Sequence, residues 1–196
     1  MASLKEQWDR AQLAERKEHA FSMEEGKAHF ANTYANYFVR LGIDDFQDGK
    51  KIIEIGSADF PALSFCRNFE KAIVIEPMPS EILKTICRKK SITLIKAPAE
   101  VSEFPEVDEV WILNVLQHVM DPNLIIEKAK KCADIIRFFE PVNQPKNEYH
   151  LHTFSLEDFY NYFEKAVVKH YNPTDPVIGF HNSPCAYGTW KKTNKI

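Results

Sequence analysis

Gly56 and Glu76 stand twenty positions apart, each closing a short apolar run. Lys50 to Ile55 is rich in β-branched residues and runs into Gly56-Ser57-Ala58-Asp59-Phe60-Pro61. That order reads as strand, tight turn and helix start, with Asp59 as the cap and Pro61 in the first turn. Lys71 to Glu76 reads as the next strand. In an open parallel sheet the turn after the first strand lets the backbone approach a nucleotide-like ligand, and N–H groups at the helix start face it. An acid at this spacing accepts hydrogen bonds from a ribose diol. Gly56 to Glu76 is therefore a candidate adenosine half-site.

The turn also selects among adenosine ligands. A dinucleotide loop needs glycine at its third and sixth positions for a close pyrophosphate, and these hold Ala58 and Pro61. Asp59 would repel a phosphate, and Pro61 lacks a donor N–H. A cationic ligand without phosphate fits better: S-adenosylmethionine carries a sulfonium and an ammonium, for which Glu54, Asp59 and Glu76 are favourable neighbours. An NAD-dependent oxidoreductase shares the strand, turn and acid, but Ala58, Asp59 and Pro61 weigh against it.

These residues carry a resemblance. Glu54-Ile55-Gly56-Ser57-Ala58 resembles the first motif of class I S-adenosylmethionine-dependent methyltransferases, and Ile75-Glu76-Pro77-Met78 their second. Val107 to Pro122, with Asn114-Val115-Leu116-Gln117-His118-Val119 inside it, is similar to their fourth-strand segment. The resemblance spans roughly residues 50 to 142. It implies an enzyme that moves a methyl group from S-adenosylmethionine, and a set of cofactor contacts; a small-molecule or sugar acceptor, at oxygen, is the expectation from the neutral-to-acidic charge and the compact size. Glu54, Gly56, Ser57 and Ala58 would lie at the methionine moiety, Glu76 at the ribose, and Pro77 and Met78 at adenine. Ala99 and Glu100 would flank the adenine edge, with Asn114 and Gln117 at the amino-acid end. The chain departs from the family at Ala58, where a second glycine is usual, and near Pro98, where an acid is frequent. It also lacks a Pro-Gly-Gly turn before the fifth strand. These departures keep open a non-catalytic binding module of the same fold.

Four residues are candidates for proton chemistry. His118 follows the fourth strand, Glu140 stands at the mouth of the fifth, and His150 and His152 alternate as on an extended strand beyond it. Histidine titrates near neutrality, so this group could take a proton from an acceptor hydroxyl. Imidazole and carboxylate also suit a divalent cation, and a loop knitted by hydrogen bonds is the plainer alternative. A base is optional, because the sulfonium is already activated and alignment alone supplies several kcal/mol.

These residues need a scaffold, which the rest of the chain describes. Apolar runs at 51 to 55, 72 to 76, 92 to 96, 108 to 113 and 134 to 139 alternate with helical segments at 62 to 69, 80 to 89 and 123 to 132. Ser155 to Asp158 is a capping box, and late strands are expected at 166 to 171 and 186 to 191, joined by a long loop from Pro173 to Pro184. The expected fold is a doubly wound, mostly parallel, seven-stranded α/β sheet with helices on both faces. Before it, Trp8, Leu13, Ala20, Phe21, Phe30, Tyr34, Tyr37, Phe38 and Leu41 recur at helical spacing, punctuated by Gly26 and Gly42. The aromatic stripe reads as core, while Trp8, His19 and His29 could reach over the site. Residues 1–48 form a helical cap and 49–196 the cofactor-binding region, within one structural domain.

With 196 residues, 44% apolar and 27% charged, the chain suits a single globular domain. A net charge of -3 gives no reason to expect a nucleic-acid partner. No run suits a membrane span and no signal-peptide core opens the sequence, so a cytoplasmic location is expected. Cysteines 66, 87, 132 and 185 are too far apart for a CxxC motif and read as reduced thiols. The sequence is silent on oligomeric state.

Overall fold

The computed structural model describes residues 3–18, 22–164, 166–171 and 184–193. Five strands run parallel: β1 Lys51–Ile55, β2 Lys71–Ile75, β3 Thr93–Ile95, β4 Val107–Leu113 and β5 Ala133–Pro141. β6 Val167–Tyr171 and β7 Cys185–Lys191 complete a seven-stranded sheet of order β3-β2-β1-β4-β5-β7-β6, with β7 antiparallel to both its neighbours. The order reverses between β1 and β4, so the carboxyl ends of these two strands flank the crevice where such sheets take ligands.

Alternation along the strands divides the core in two. Ile52, Val74, Trp111 and Phe139 face one side, packed by Tyr34, Tyr37, Phe38 and Leu41 of α2 (Met23–Leu41) and by Leu83 and Cys87 of α3 (Glu81–Lys90). Ile53, Ile75, Val110, Ile112 and Phe138 face the other, against Ile125, Ile126 and Ala129 of α4 (Pro122–Cys132) and Phe159 of α5 (Leu156–Tyr162). Each such side chain contributes about 1.5–3 kcal/mol on burial, so a one-residue slip in any central strand would be prohibitive. The helices start where their caps predict: Ser80 and Asp121 accept from the N–H groups of Leu83 and Leu124, and Ser155 forms its box with Asp158.

Three expectations need correction. The helix read at 62 to 69 is a single 3-10 turn, Ala62–Phe65, and Asp59 does not cap it. The cause is non-local: Glu54, on the same face of β1 as Ile52, accepts the N–H of Ala62 at 2.7 Å and that of Leu63 at 2.9 Å, and the chain then returns at once towards β2. Gly26 does not punctuate two helices but lies inside α2, which Ser22 caps. A Cβ there would stand 2.2 Å from the ring of Phe60, so glycine lets α2 lie directly on the loop after β1. β3 spans three residues rather than five. The first helix, α1, covers Leu4–Glu18. His19, Ala20, Phe21 and the loop from Pro173 lie outside the described residues, Pro184 excepted. The four cysteines are free, and no described helix is long and apolar enough to cross a membrane.

Candidate active site

The turn after β1 is built around two left-handed residues. Gly56 has φ +62, and a Cβ on it would sit 2.3 Å from Cγ2 of Val115, so both backbone and space require glycine. Ala58 also adopts positive φ, at 45°, where a Cβ costs about 1–2 kcal/mol. The missing second glycine is therefore a strained position rather than a different turn. Across from it, Glu76 follows β2 and accepts the N–H of Ser57 at 3.3 Å and that of Met78 at 3.1 Å. Burial pushes its carboxyl up to about 7, although these two N–H groups pull the other way.

Above the carboxyl ends of the strands lies a cavity of about 520 Å³. Gly56, Ser57, Ala58, Glu76, Pro77, Met78, Ala99, Glu100, Asn114 and His118 all line it, so residues from four separate strand ends converge as the sequence expects. Asn114 is held with φ 60, and its side-chain oxygen accepts from Gln117 at 2.8 Å. Glu100 accepts the N–H groups of Met120 at 2.7 Å and Asp121 at 3.2 Å, joining the loop after β3 to the start of α4.

Five expected site residues do not reach the wall. Glu54 is turned under the first loop by strand parity, and burial raises its carboxyl to about 8 against the Leu63 and Ala62 N–H groups. Gln117 is buried behind Asn114 and orients it. Glu140 is fully buried and accepts the N–H groups of Val115 at 2.9 Å and Leu116 at 3.1 Å; burial lifts it, too, to about 8. Its carboxylate shapes the turn after β4 from below rather than facing an acceptor. The ring of His152 contacts the carbonyl of Val119 at 2.8 Å, and that of His150 packs edge-on against His118 at 4.9 Å. These directions diverge, so Glu140, His150 and His152 form no proton-accepting trio, and no metal-binding group of three or more acids, histidines or cysteines occurs among the described residues.

His118 alone of the four faces the cavity, with both nitrogens engaged. Nε2 lies 3.0 Å from Nε2 of Gln117, while Nδ1 lies 3.0 Å from the carbonyl of Tyr149 and 3.3 Å from Oε2 of Glu15. The amide donates to Nε2, which places the ring proton on Nδ1. Glu15 belongs to α1, and Gln12 of the same helix donates to the His118 carbonyl at 3.3 Å. His118 thus anchors the covering helix.

The remaining wall was less legible from the sequence. Trp8, Gln12, Glu15 and Arg16 of α1 and His29, Phe30, Thr33, Tyr34 and Tyr37 of α2 close the cavity. Tyr34 and Tyr37 serve both core and cavity, and the Tyr34 hydroxyl donates to the carbonyl of Phe60 at 2.7 Å. Helical spacing identified the stripe; which rings border open space depends on how α2 sits on Phe60.

No protein-family model matches the sequence, and no curated protein is significantly similar to it. Many solved structures are similar in fold. One is the 1,6-didemethyltoxoflavin-N1-methyltransferase of Burkholderia thailandensis, solved with S-adenosylhomocysteine; at 10% identity it covers 99% of this chain and 92% of its own, with a TM-score of 0.66. The N-methyltransferase NodS of Bradyrhizobium japonicum WM9, also with S-adenosylhomocysteine, covers 89% of each chain at 12% identity and a TM-score of 0.56. The [4+2]-cyclase SpnF covers 81% of this chain and 79% of its own, at 14% identity and a TM-score of 0.59. The fold is that of the class I S-adenosylmethionine-dependent methyltransferases. As the cyclase illustrates, fold does not fix the reaction, and function rests on the site.

Proposed function

We propose that this chain is an S-adenosylmethionine-dependent methyltransferase acting on a small molecule. The observation that carries the reading is Glu76: a half-buried carboxylate on the cavity wall, fixed by two backbone N–H groups, with no lysine or arginine paired to it among the described residues. Glu15 and Asp59 stand close enough to push the Glu76 carboxyl further up, and Glu76 does the same to Glu54. Such a site suits a ligand that brings hydroxyl donors and positive charge. It does not suit a pyrophosphate, because Glu54 already occupies the N–H groups that open the 3-10 turn. This favours S-adenosylmethionine over NAD on grounds independent of the missing glycines.

Glu76 would hold the ribose hydroxyls, Met78 and the Ala99–Glu100 edge the adenine, and Gly56 to Ala58 with Asn114 the amino-acid end. When bound, the cofactor supplies a methyl group on a positively charged sulfur, already activated for displacement. The protein's task is to align an acceptor and exclude water. Trp8, Phe30, Tyr34 and Tyr37 offer a rigid apolar wall for it, and alignment of this kind contributes up to about 7–11 kcal/mol. With both nitrogens of His118 engaged, no side chain is required as base, and the proton released by an acceptor oxygen or nitrogen leaves through solvent. Oxygen is the acceptor atom expected from the sequence; the toxoflavin enzyme and NodS, similar in fold, are named for methylation at nitrogen.

Titration calorimetry with S-adenosylhomocysteine, followed by label transfer from S-adenosylmethionine to a panel of phenols, sugars and amines, tests the proposal. Saturable binding and a labelled product are expected. A chain that binds NAD but not S-adenosylhomocysteine would be an oxidoreductase, and one that binds neither would be a module without either cofactor.

A further inference from the structure

The loop after β3 is held in an unusual way. Pro98 offers its carbonyl to the N–H groups of Val101 at 3.2 Å and Ser102 at 3.1 Å and to the Ser102 hydroxyl at 2.9 Å, which closes a tight turn. Three other carbonyls of this turn converge on one ammonium. Nζ of Lys128, on α4, donates to Ala99 at 2.8 Å, to Glu100 at 3.0 Å and to Ser102. The same ammonium lies 4.6 Å from the ring centre of Phe104. All three donors of the lysine are thus committed to one loop, and the Glu100 side chain ties that loop again to Met120 and Asp121.

A trans peptide points its C=O and the following N–H in opposite directions. Drawing the Ala99 carbonyl onto Lys128 therefore turns the Glu100 N–H away from α4. Neither Ala99 nor Glu100 has a protein acceptor for its N–H among the described residues, and both residues line the cavity.

We propose that Lys128 is a positioning residue for the adenine end of the cofactor: by gathering the carbonyls of Ala99, Glu100 and Ser102 on the α4 side, it fixes the opposite edge of the loop as a backbone donor surface for a purine ring. The inference rests on the cofactor assignment above. It makes adenine recognition depend on a side chain that never touches the ligand, through the shape of one loop.

The test uses the full chain with Lys128→Met, which keeps an apolar stem beside Phe104 and removes the donors, and Lys128→Arg, which keeps the charge and several donors. Affinities for S-adenosylhomocysteine and for adenosine alone are measured by calorimetry, and hydrogen exchange at Val101 and Ser102 is followed without ligand. Lys128→Met should weaken both ligands by a similar factor, on the order of tenfold. It should also speed exchange at those two amides, with Lys128→Arg in between. Asn114→Ala, at the other end of the cavity, should weaken S-adenosylhomocysteine while sparing adenosine. If wild-type chain binds S-adenosylhomocysteine and Lys128→Met binds adenosine as well as wild type does, the positioning role is refuted and the cofactor assignment stands. If wild type binds neither ligand, the assignment itself falls and takes this role with it. Equal loss of adenosine binding in Lys128→Met and Asn114→Ala would indicate a general loosening and also refutes the role.

Discussion

The two halves of the sheet treat buried carboxylates in opposite ways. Towards the amino ends of the strands, Glu109 accepts from Arg137 at 2.7 and 3.2 Å, from Lys50 at 2.9 Å and from the indole of Trp111 at 2.9 Å. Burial alone would raise its carboxyl, but these donors and the Arg137 charge outweigh it and hold it at about 2. At the carboxyl ends, Glu54 and Glu140 are as deeply buried and Glu76 is half-buried at the cavity wall; all three meet only backbone N–H groups and are pushed up to about 8, 8 and 7. One end is compensated by cations of the chain; at the other, Glu54 and Glu140 are held under the loops by backbone N–H groups, and Glu76 alone of the three faces the cavity, where a ligand can compensate it. The contrast between Glu109 and Glu76 distinguishes a structural charge from a binding site: the residue type is the same, but one meets cations of the chain and the other meets an open cavity.

Breaking the compensated end should have the largest effect. Arg137→Met strands Glu109, leaving Lys50, which is more than a third exposed, as its one cationic partner among the described residues, and it also removes the donor to the Leu41 carbonyl at 2.6 Å. Loss of about 3–5 kcal/mol in chemical denaturation is expected. Glu76→Gln removes a half-buried charge that no cation of the described residues pairs, so its stability should match or exceed that of wild type while cofactor binding suffers.

The pH dependence of stability should differ in sign between the two ends. For Glu54, Glu76 and Glu140 the folded values lie above the unfolded value of 4.5, so the folded chain holds the protons more tightly. Stability without ligand should fall as pH rises from about 4.5 to about 8 and then level off, at up to about 1.4 kcal/mol per unit of displacement for each group. For Glu109 the folded value lies below 4.5, so its contribution is full above that pH and fades towards about 2. Thermal melts from pH 3 to 9 should therefore peak in mild acid. A melting temperature that climbs steadily to pH 8 would contradict the picture of an uncompensated end.

The first turn offers a finer contrast. Gly56→Ala meets both an unfavourable φ and Val115, so it should cost more than the about 1–2 kcal/mol of backbone strain alone and abolish S-adenosylhomocysteine binding. Ala58→Gly relieves a similar strain and gives part of it back as chain entropy, so stability should change by less than about 1 kcal/mol with binding retained. Denaturant titration of both variants checks this.

The sequence revealed the sheet because its five parallel strands are local apolar runs and their helices carry their own caps. It revealed the strand-end residues at Gly56, Glu76, Ala99 and Asn114 because the topology places them together whatever the side chains do. It misjudged the segment after Pro61, where the local cap-and-proline signal was overridden by Glu54 from a different element. Glu140, His150 and His152 were misjudged for the same reason: residue type advertises proton chemistry, but Glu140 and His152 turn to backbone groups of the turn after β4 and His150 turns to the Asn147 side chain and the His118 ring. The wall from α1 and α2 was only half legible, since an amphipathic period says which face is apolar and not whether a cavity lies in front of it.

The most direct measurement is the affinity of S-adenosylhomocysteine for wild type and Glu76→Gln across pH 5.5–8.5. An ionised Glu76 accepts from both hydroxyls of a ribose diol and more strongly than a protonated one, so wild-type affinity should be highest above about 7 and weaken as the carboxyl protonates below it, whereas Glu76→Gln should bind weakly with this pH dependence lost. Equal affinities and equal pH profiles for the two proteins, or no saturable binding by wild type at any pH, would contradict the assignment of this cavity.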